Sequence, residues 1–391
     1  MTTFVIVGGG LAGAKGAEAL RDQGFDGDIV LITEERVRPY ERPPLSKGYL
    51  MGKAERESIF VHGENWYDEN NVDLRMGVAA TAIDRAAHEV RLSDGSTVTY
   101  DKLLLATGSS PRQLPGAEGA LYLRRVEDSE RIKSTIASAS RLIVVGAGWI
   151  GLEVTAAARE ADVEVTVLEV ASLPLLAAIG PEVAQVYADL HAAHGVDLHF
   201  GVRIDQVTAT SVRLEDGTTF EADAVLVGIG ATPNVALAQE AGLDVDNGVL
   251  VDGSLRTSDP DIFAAGDIAN LMHPVLGHRI RVEHWASALN HPKVAATGML
   301  GGEAQFTDQP YFYTDQYDLG MEHRGDISGY DRVVFRGDVP KREFIAFWLK
   351  DNKVIAAMNV NIWDANDQIK ALLSSGDPVD PDRLADTNTP L

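Results

Sequence analysis

Two short apolar runs, residues 5–7 and 142–145, each break into closely spaced glycines: "FVIVGGGLAG" and "LIVVGAGWIG". Uninterrupted β-rich runs of this kind read as strands buried on both faces of a parallel sheet. The residues after each glycine group, 12–20 and 150–159, carry small and apolar residues at helical spacing, so each copy predicts strand, turn and helix. Near residue 310 the pattern changes to aromatic-rich alternation in "YFYTDQYDLGMEHRG", "DRVVFRGD" and "EFIAFWLKDNKVIAAMNV". Alternation predicts antiparallel strands with one solvated face, and "NDQIKALLSSG" closes the pattern with a single helix.

The similarity of the two copies extends well past the glycines. After the first come "DIVLITEE", "VDLRMGVAATAID" and "HEVRLSDGSTVTYDKLLLATGSSPR"; after the second come "VEVTVLEV", "VDLHFGVRIDQV" and "SVRLEDGTTFEADAVLVGIGATPN". The recurring order is loop, second strand, "VDL" strand, hairpin around "DG" and closing strand, which is a duplicated nucleotide-binding domain. The expected fold is α/β: two Rossmann-like domains plus a small α+β C-terminal domain. The boundaries drawn are 1–109 with 233–309 for the first domain, 110–232 for the second and 310–391 for the third.

Composition narrows the function. The 391 residues contain no cysteine, which removes disulfides, thiolate metal sites and dithiol electron transfer. A formal net charge of −24 opposes broad nucleic-acid or membrane-surface binding. It leaves room for an acidic protein partner where basic side chains gather. No apolar run approaches the ~18 residues of a membrane span, and "MTTFVIVGGG" has no basic leader, so a cytoplasmic location is expected. Ten histidines and 58 acidic residues show no tight metal-ligand spacing, so no metal is expected.

Gly8, Gly10 and Gly13 have the spacing that allows a tight turn, lets a pyrophosphate approach backbone N–H groups, and permits close helix–sheet packing. A second strand ending at Glu34 supplies a carboxylate for ribose hydroxyls. Gly146, Gly148 and Gly151 repeat the arrangement, with Glu169 ending the second strand. Glu169 accepts from a ribose 2′-OH and repels a 2′-phosphate, and "VASLPLLAAIG" after it holds no cation, so NADH is expected over NADPH.

The motifs "YERPPLSKGYL", "LLLATGSSPR", "GAGWIGLEV", "TSDPDIFAAGD", "RVEHWASALN" and "YFYTDQYD" occur in one order across the chain. Together they resemble the flavin-dependent, NADH-linked ferredoxin reductases that serve oxygenases, the putidaredoxin reductase type; apoptosis-inducing factor is more distant. The resemblance implies a glutathione reductase-like arrangement in which the first glycine loop holds FAD and the second holds NADH. It places Leu11, Ala12, Ala80, Ala106, Thr107, Gly108 and Arg124 at the flavin, and Trp149, Ile150 and Gly230 at the nicotinamide dinucleotide.

Lys47 follows Pro43 and Pro44, which stiffen its backbone; from the residues alone it reads equally as a surface lysine. The resemblance implies that it lies at the reactive edge of the flavin and pairs with Glu153, which otherwise reads as a first-turn glutamate favoured by the helix dipole. Asp267 is matched to the ribityl hydroxyls, against a plain turn aspartate. Arg42 is matched to the pyrophosphate, against a solvated arginine. Trp285 should open a helix aimed at the flavin pyrimidine, or else be a core tryptophan. One departure stands out: the family's "FWSDQ" has a tryptophan where this chain has Tyr313 in Phe312-Tyr313-Thr314-Asp315-Gln316.

The resemblance implies that NADH reduces FAD by hydride transfer and that FAD returns the two electrons singly to an acidic [2Fe–2S] ferredoxin, the chain being a monomer or weak homodimer. The alternatives are a slow NADH oxidase, weakened by the missing redox cysteine, and an NADH-responsive flavoprotein akin to apoptosis-inducing factor.

Overall fold

The computed structural model describes residues 2–391, which form two compact units. The first comprises residues 2–43, 55–110 and 231–308; the second comprises 44–54, 111–230 and 309–391. The sequence boundaries put residues 44–54 with the first domain, whereas they group with the second unit. Local bonds account for this: Ser129 donates to the Leu45 carbonyl at 2.7 Å, Tyr49 to Glu130 at 2.9 Å, and Lys53 pairs with Glu160 at 2.6 Å.

In the first unit the strand Thr3–Val7 lies between Lys102–Leu105 and Asp28–Thr33, with Val72–Met76 beyond the latter and Ile262–Ala264 beyond the former. All pairings are parallel. Val5, Ile6, Leu31 and Leu103–Leu105 are almost fully buried, as their continuous apolar runs require. Helix Leu11–Asp22 packs against helix Trp285–Met299.

In the second unit Arg141–Val145 lies between Ala224–Val227 and Glu164–Glu169, with Asp197–Phe200 beyond. The order is that of the first sheet without its extra strand, so the duplication read from the sequence is a duplication of topology. Each copy also carries a three-stranded antiparallel sheet around its "DG" hairpin. Helix Leu176–Ala193 is broken at Gly180 (φ 74°), followed by Pro181, which has no N–H to continue the ladder.

The C-terminal region is a five-stranded antiparallel sheet in the order Tyr311–Gln316, Leu319–Gly325, Lys353–Val360, Glu343–Lys350, Arg332–Asp338. Helix Asn366–Ser375 follows, and then a second helix, Pro381–Ala385, where the sequence pattern predicts only one. Asp380 caps this short helix and proline occupies its first turn, while Arg336 holds the tail through the carbonyls of Leu384, Asp386 and Thr389. Among the described residues no helix is long and apolar enough to cross a membrane, and no group of His, Asp or Glu is arranged to hold a metal.

Candidate functional site

The two glycine loops obey the same steric rules. A Cβ at Gly8 would lie 2.1 Å from the Ala106 carbonyl oxygen, and one at Gly13 would lie 1.9 Å from that of Gly8. In the second loop a Cβ at Gly146 would lie 2.4 Å from the Gly228 oxygen, and one at Gly151 would lie 2.2 Å from the Gly146 oxygen. Gly8 and Gly146 also hold positive φ, 119° and 98°. The outer glycines are thus closed by the chain's own backbone.

The middle glycines are open. A Cβ at Gly10 would meet only the Arg42 guanidinium, at 3.3 Å, and one at Gly148 would meet nothing nearer than 3.8 Å. Gly10 and Gly148 are also the N-cap residues of helices Leu11–Asp22 and Trp149–Glu160, and neither helix start has a side-chain cap. First-turn N–H groups without a side-chain cap, beside an open glycine, fit a dinucleotide pyrophosphate.

Around the first loop, Arg42 is held by Glu35 at 2.9 Å, whose other oxygen accepts from Tyr40 at 2.5 Å. Strand Asp28–Thr33 ends one residue before Glu34, which is exposed. Glu35 adds a contact to Arg42 for which the sequence carries no signal, and the ribose role expected of Glu34 is a separate one. Thr107 exchanges hydrogen bonds with Asn234, and Gly108 has φ 65°. Ser109 donates to Asp267 at 2.8 Å, and a Cβ at neighbouring Gly266 would lie 3.0 Å from Ala12 Cβ, so Asp267 stands beside the first helix start. Trp285 opens its helix as expected; it is half-buried and donates to Glu41 at 3.1 Å, so it is not a core residue. Ala80 begins a strand with a register shift before Ala82.

Around the second loop, Glu169 ends its strand and accepts from the Ala147 N–H at 2.6 Å and the Ala171 N–H at 2.8 Å. A carboxylate has roughly four acceptor positions, so capacity remains for a ribose hydroxyl. Gly230 has φ 97°, but the residue closing this loop is Gly228, the counterpart of Ala106. Ile150 is exposed and Trp149 half-buried.

Lys47 and Glu153 come together at 2.7 Å, although 106 positions separate them in the chain. The Lys47 side chain is 14% exposed and that of Glu153 is 3%. Glu153 Oε1 also accepts from Thr314 at 2.5 Å, and Ser46 donates to Oε2. The Tyr313 ring lies 5.6 Å from Lys47 Nζ. Burial, with the Glu153 charge added, pushes the Tyr187 phenol far above its usual range, so it stays protonated beside the pair. Lys47 and Arg124, both expected at the flavin, belong to the second unit; the Arg124 N–H donates to Asp128 at the start of helix Val126–Ile136.

Residues 2–291 match the family model for pyridine nucleotide-disulphide oxidoreductases, and residues 311–391 match the reductase C-terminal model. The chain is 40% identical to putidaredoxin reductase CamA of Pseudomonas putida over 99% of its own length and 95% of that protein. It is equally close, 40%, to the anthranilate 1,2-dioxygenase system ferredoxin–NAD(+) reductase component of Burkholderia cepacia, over 98% and 97%. Its structure superposes on that of the reductase in a covalent putidaredoxin reductase–putidaredoxin complex with a TM-score of 0.96 at 38% identity, covering 100% of this chain and 97% of that one.

The chain belongs to the pyridine nucleotide-disulphide oxidoreductase family, in its putidaredoxin reductase branch. In this oxidoreductase the family's disulphide chemistry is absent, because there is no cysteine to carry it. The cofactors of the branch, FAD and NADH, fit the two loops: each has one open glycine at a helix start without a side-chain cap, and only the first has a guanidinium beside it.

Proposed function

We propose that this chain carries electrons from NADH through FAD to a small [2Fe–2S] ferredoxin that serves an oxygenase or a cytochrome P450, in the cytoplasm. The observation that carries this reading is the pair of open glycine loops in a chain without cysteine. Two dinucleotides are accommodated, and electrons have no thiol through which to leave. The likeness to ferredoxin reductases over nearly the whole chain supports the partner class.

Bound FAD supplies the conversion between two-electron and one-electron chemistry; the protein supplies position and charge. Gly10 and the N–H groups of helix Leu11–Asp22 would hold the flavin pyrophosphate, with Arg42 placed to neutralise it. Asp267, oriented by Ser109, accepts from the ribityl chain. The N-terminus of helix Trp285–Met299 would offer positive dipole to the pyrimidine side of a bound flavin. Gly148 and Glu169 hold the NADH pyrophosphate and ribose. Glu153 holds the Lys47 ammonium, which would orient a bound nicotinamide and supply positive charge for the reduction.

Stopped-flow mixing tests the reading. Flavin bleaching by NADH, followed by rapid reoxidation with a small [2Fe–2S] ferredoxin, is expected. A reduced flavin that persists with NAD+ and ignores every ferredoxin offered would overturn the reductase in favour of an NADH-responsive flavoprotein.

A further inference from the structure

Glu153 is the end of a longer buried chain of side chains, and its polarity can be read outward from the carboxylate. An ionised carboxylate only accepts, so the Thr314 hydroxyl donates to Oε1 at 2.5 Å. With its proton committed, Thr314 Oγ1 accepts from Gln316 Nε2 at 3.3 Å. That turns Gln316 Oε1 towards His191 Nε2, 2.9 Å away, so the imidazole proton sits on Nε2. Nδ1 is then an acceptor, and the Tyr317 hydroxyl lies 3.3 Å from it. Burial pushes His191 down to about 4, which keeps the ring neutral with one donor and one acceptor.

Local structure makes the alignment possible. Phe312, Thr314 and Gln316 share one face of strand Tyr311–Gln316 by its two-residue period. Trp149 and Glu153 are four apart on helix Trp149–Glu160, and Tyr187 and His191 are four apart on helix Leu176–Ala193. Phe312 meets Trp149, Thr314 meets Glu153, and Gln316 meets His191. Thr314, Gln316 and His191 are at least nine-tenths buried. A polar chain so deep in the core is costly unless every member is satisfied, and here each bond depends on the next.

We propose that Thr314, Gln316 and His191 are positioning residues for Glu153. The chain fixes the rotation of the carboxylate so that Oε1 meets Lys47 while Oε2 takes Ser46. This rests on the reading that the Lys47–Glu153 pair orients the nicotinamide for hydride transfer. None of the three residues touches the reacting atoms; they act through Glu153.

The test combines stopped-flow reduction of the FAD-loaded enzyme by NADH with the infrared carboxylate band of Glu153, assigned by difference against Glu153→Gln. Thr314→Val should lower the limiting reduction rate about tenfold, the order of one hydrogen bond to a charged group, while NADH Kd stays within about twofold and the Glu153 band shifts. Thr314→Ser, which keeps the hydroxyl, should restore both rate and band. His191→Phe should act in the same direction with a smaller loss, about threefold, as expected for a neutral hydrogen bond further along the chain. A Thr314→Val enzyme with the native rate and an unmoved band would overturn the proposal, as would Thr314→Val and Thr314→Ser being equally impaired. If Glu153→Gln itself reduces normally while the band still shifts in Thr314→Val, the failure lies in the role given to the Lys47–Glu153 pair and not in the chain.

Discussion

Lys15 and Glu153 occupy the same place in the two copies, two residues past the last glycine, and their surroundings differ completely. Lys15 is half-exposed and pairs with Glu18 one turn along its own helix, at 2.5 Å. Glu153 is buried and pairs with Lys47 from a distant segment. The loops differ similarly: Arg42 stands over Gly10 in the first, and no atom comes within 3.8 Å of a Cβ at Gly148 in the second. Backbone sterics are common to both copies, so the backbone specifies only a dinucleotide. On the proposed reading, side chains beyond the glycines decide which one: a resident flavin dinucleotide beside a guanidinium, or a transient nicotinamide dinucleotide beside a buried carboxylate.

The harshest way to break this contrast is to remove one member of the buried pair. Glu153→Ala leaves a lysine that is only 14% exposed without its partner, and should cost about 3–5 kcal/mol of stability or a comparable factor in flavin reduction. The matching change on the other side, Glu18→Ala beside Lys15, should cost no more than about 0.5 kcal/mol. Chemical denaturation of the two variants checks both figures, and equal losses would erase the distinction.

The closed glycines should behave alike where the side chains do not. Gly13→Ala and Gly151→Ala each drive a methyl into a carbonyl oxygen, and each should destabilise its own unit by about 3 kcal/mol. Thermal unfolding with limited proteolysis would show which unit loosens.

Each unit also buries a histidine whose burial pushes it down to about 4, His291 in the first and His191 in the second. Their folded pKa values lie below the unfolded one, so the unfolded chain binds more protons between pH 6.5 and pH 4. Stability should therefore be complete above pH 6.5 and fall as pH drops through that window, by about 3 kcal/mol per histidine. Urea titrations at pH 7 and pH 4.5, with His191→Gln and His291→Gln each flattening the dependence, sharpen the comparison between units.

A smaller effect concerns the two riboses. Glu169→Ala combined with Val170→Arg should move the ratio of kcat/KM for NADH over NADPH about 10- to 100-fold towards NADPH, the worth of a charged hydrogen bond gained or lost. Flavin content should not change. An unmoved ratio would mean that the ribose lies elsewhere.

Much of this was legible in the chain. Glycine spacing, apolar runs and the repeated "VDL" and "DG" segments predict both parallel sheets because each element's type is written in its own residues and the order of elements recurs in the two copies. The alternation after residue 310 likewise predicts an antiparallel sheet, which has five strands. What escaped was long-range or decided by small differences in direction. Glu35 holds Arg42, Gly228 closes the second loop, and His191, Gln316 and Thr314 link in a chain that ends on Glu153, from segments more than 30 residues away. The Lys47–Glu153 pair itself was anticipated only through family resemblance, since periodicity carries no information about a contact between residues 106 apart. The last helix was missed because its five residues are fixed by the Asp380 cap and the Arg336 clamp rather than by an apolar stripe.

The central claim is that the first loop keeps the flavin and the second receives NADH. Gly10→Ala and Gly148→Ala test it most directly, because a methyl fits at Gly148 and at Gly10 asks only a few tenths of an ångström of the flexible Arg42 side chain, so the main obstruction would fall on a bound pyrophosphate. The measurement is flavin content and NADH Kd for the two purified variants. The account predicts that Gly10→Ala loses FAD while Gly148→Ala keeps it and binds NADH at least about tenfold more weakly, equivalent to about 1.4 kcal/mol. Loss of flavin from Gly148→Ala, or unchanged NADH affinity in that variant, would contradict it.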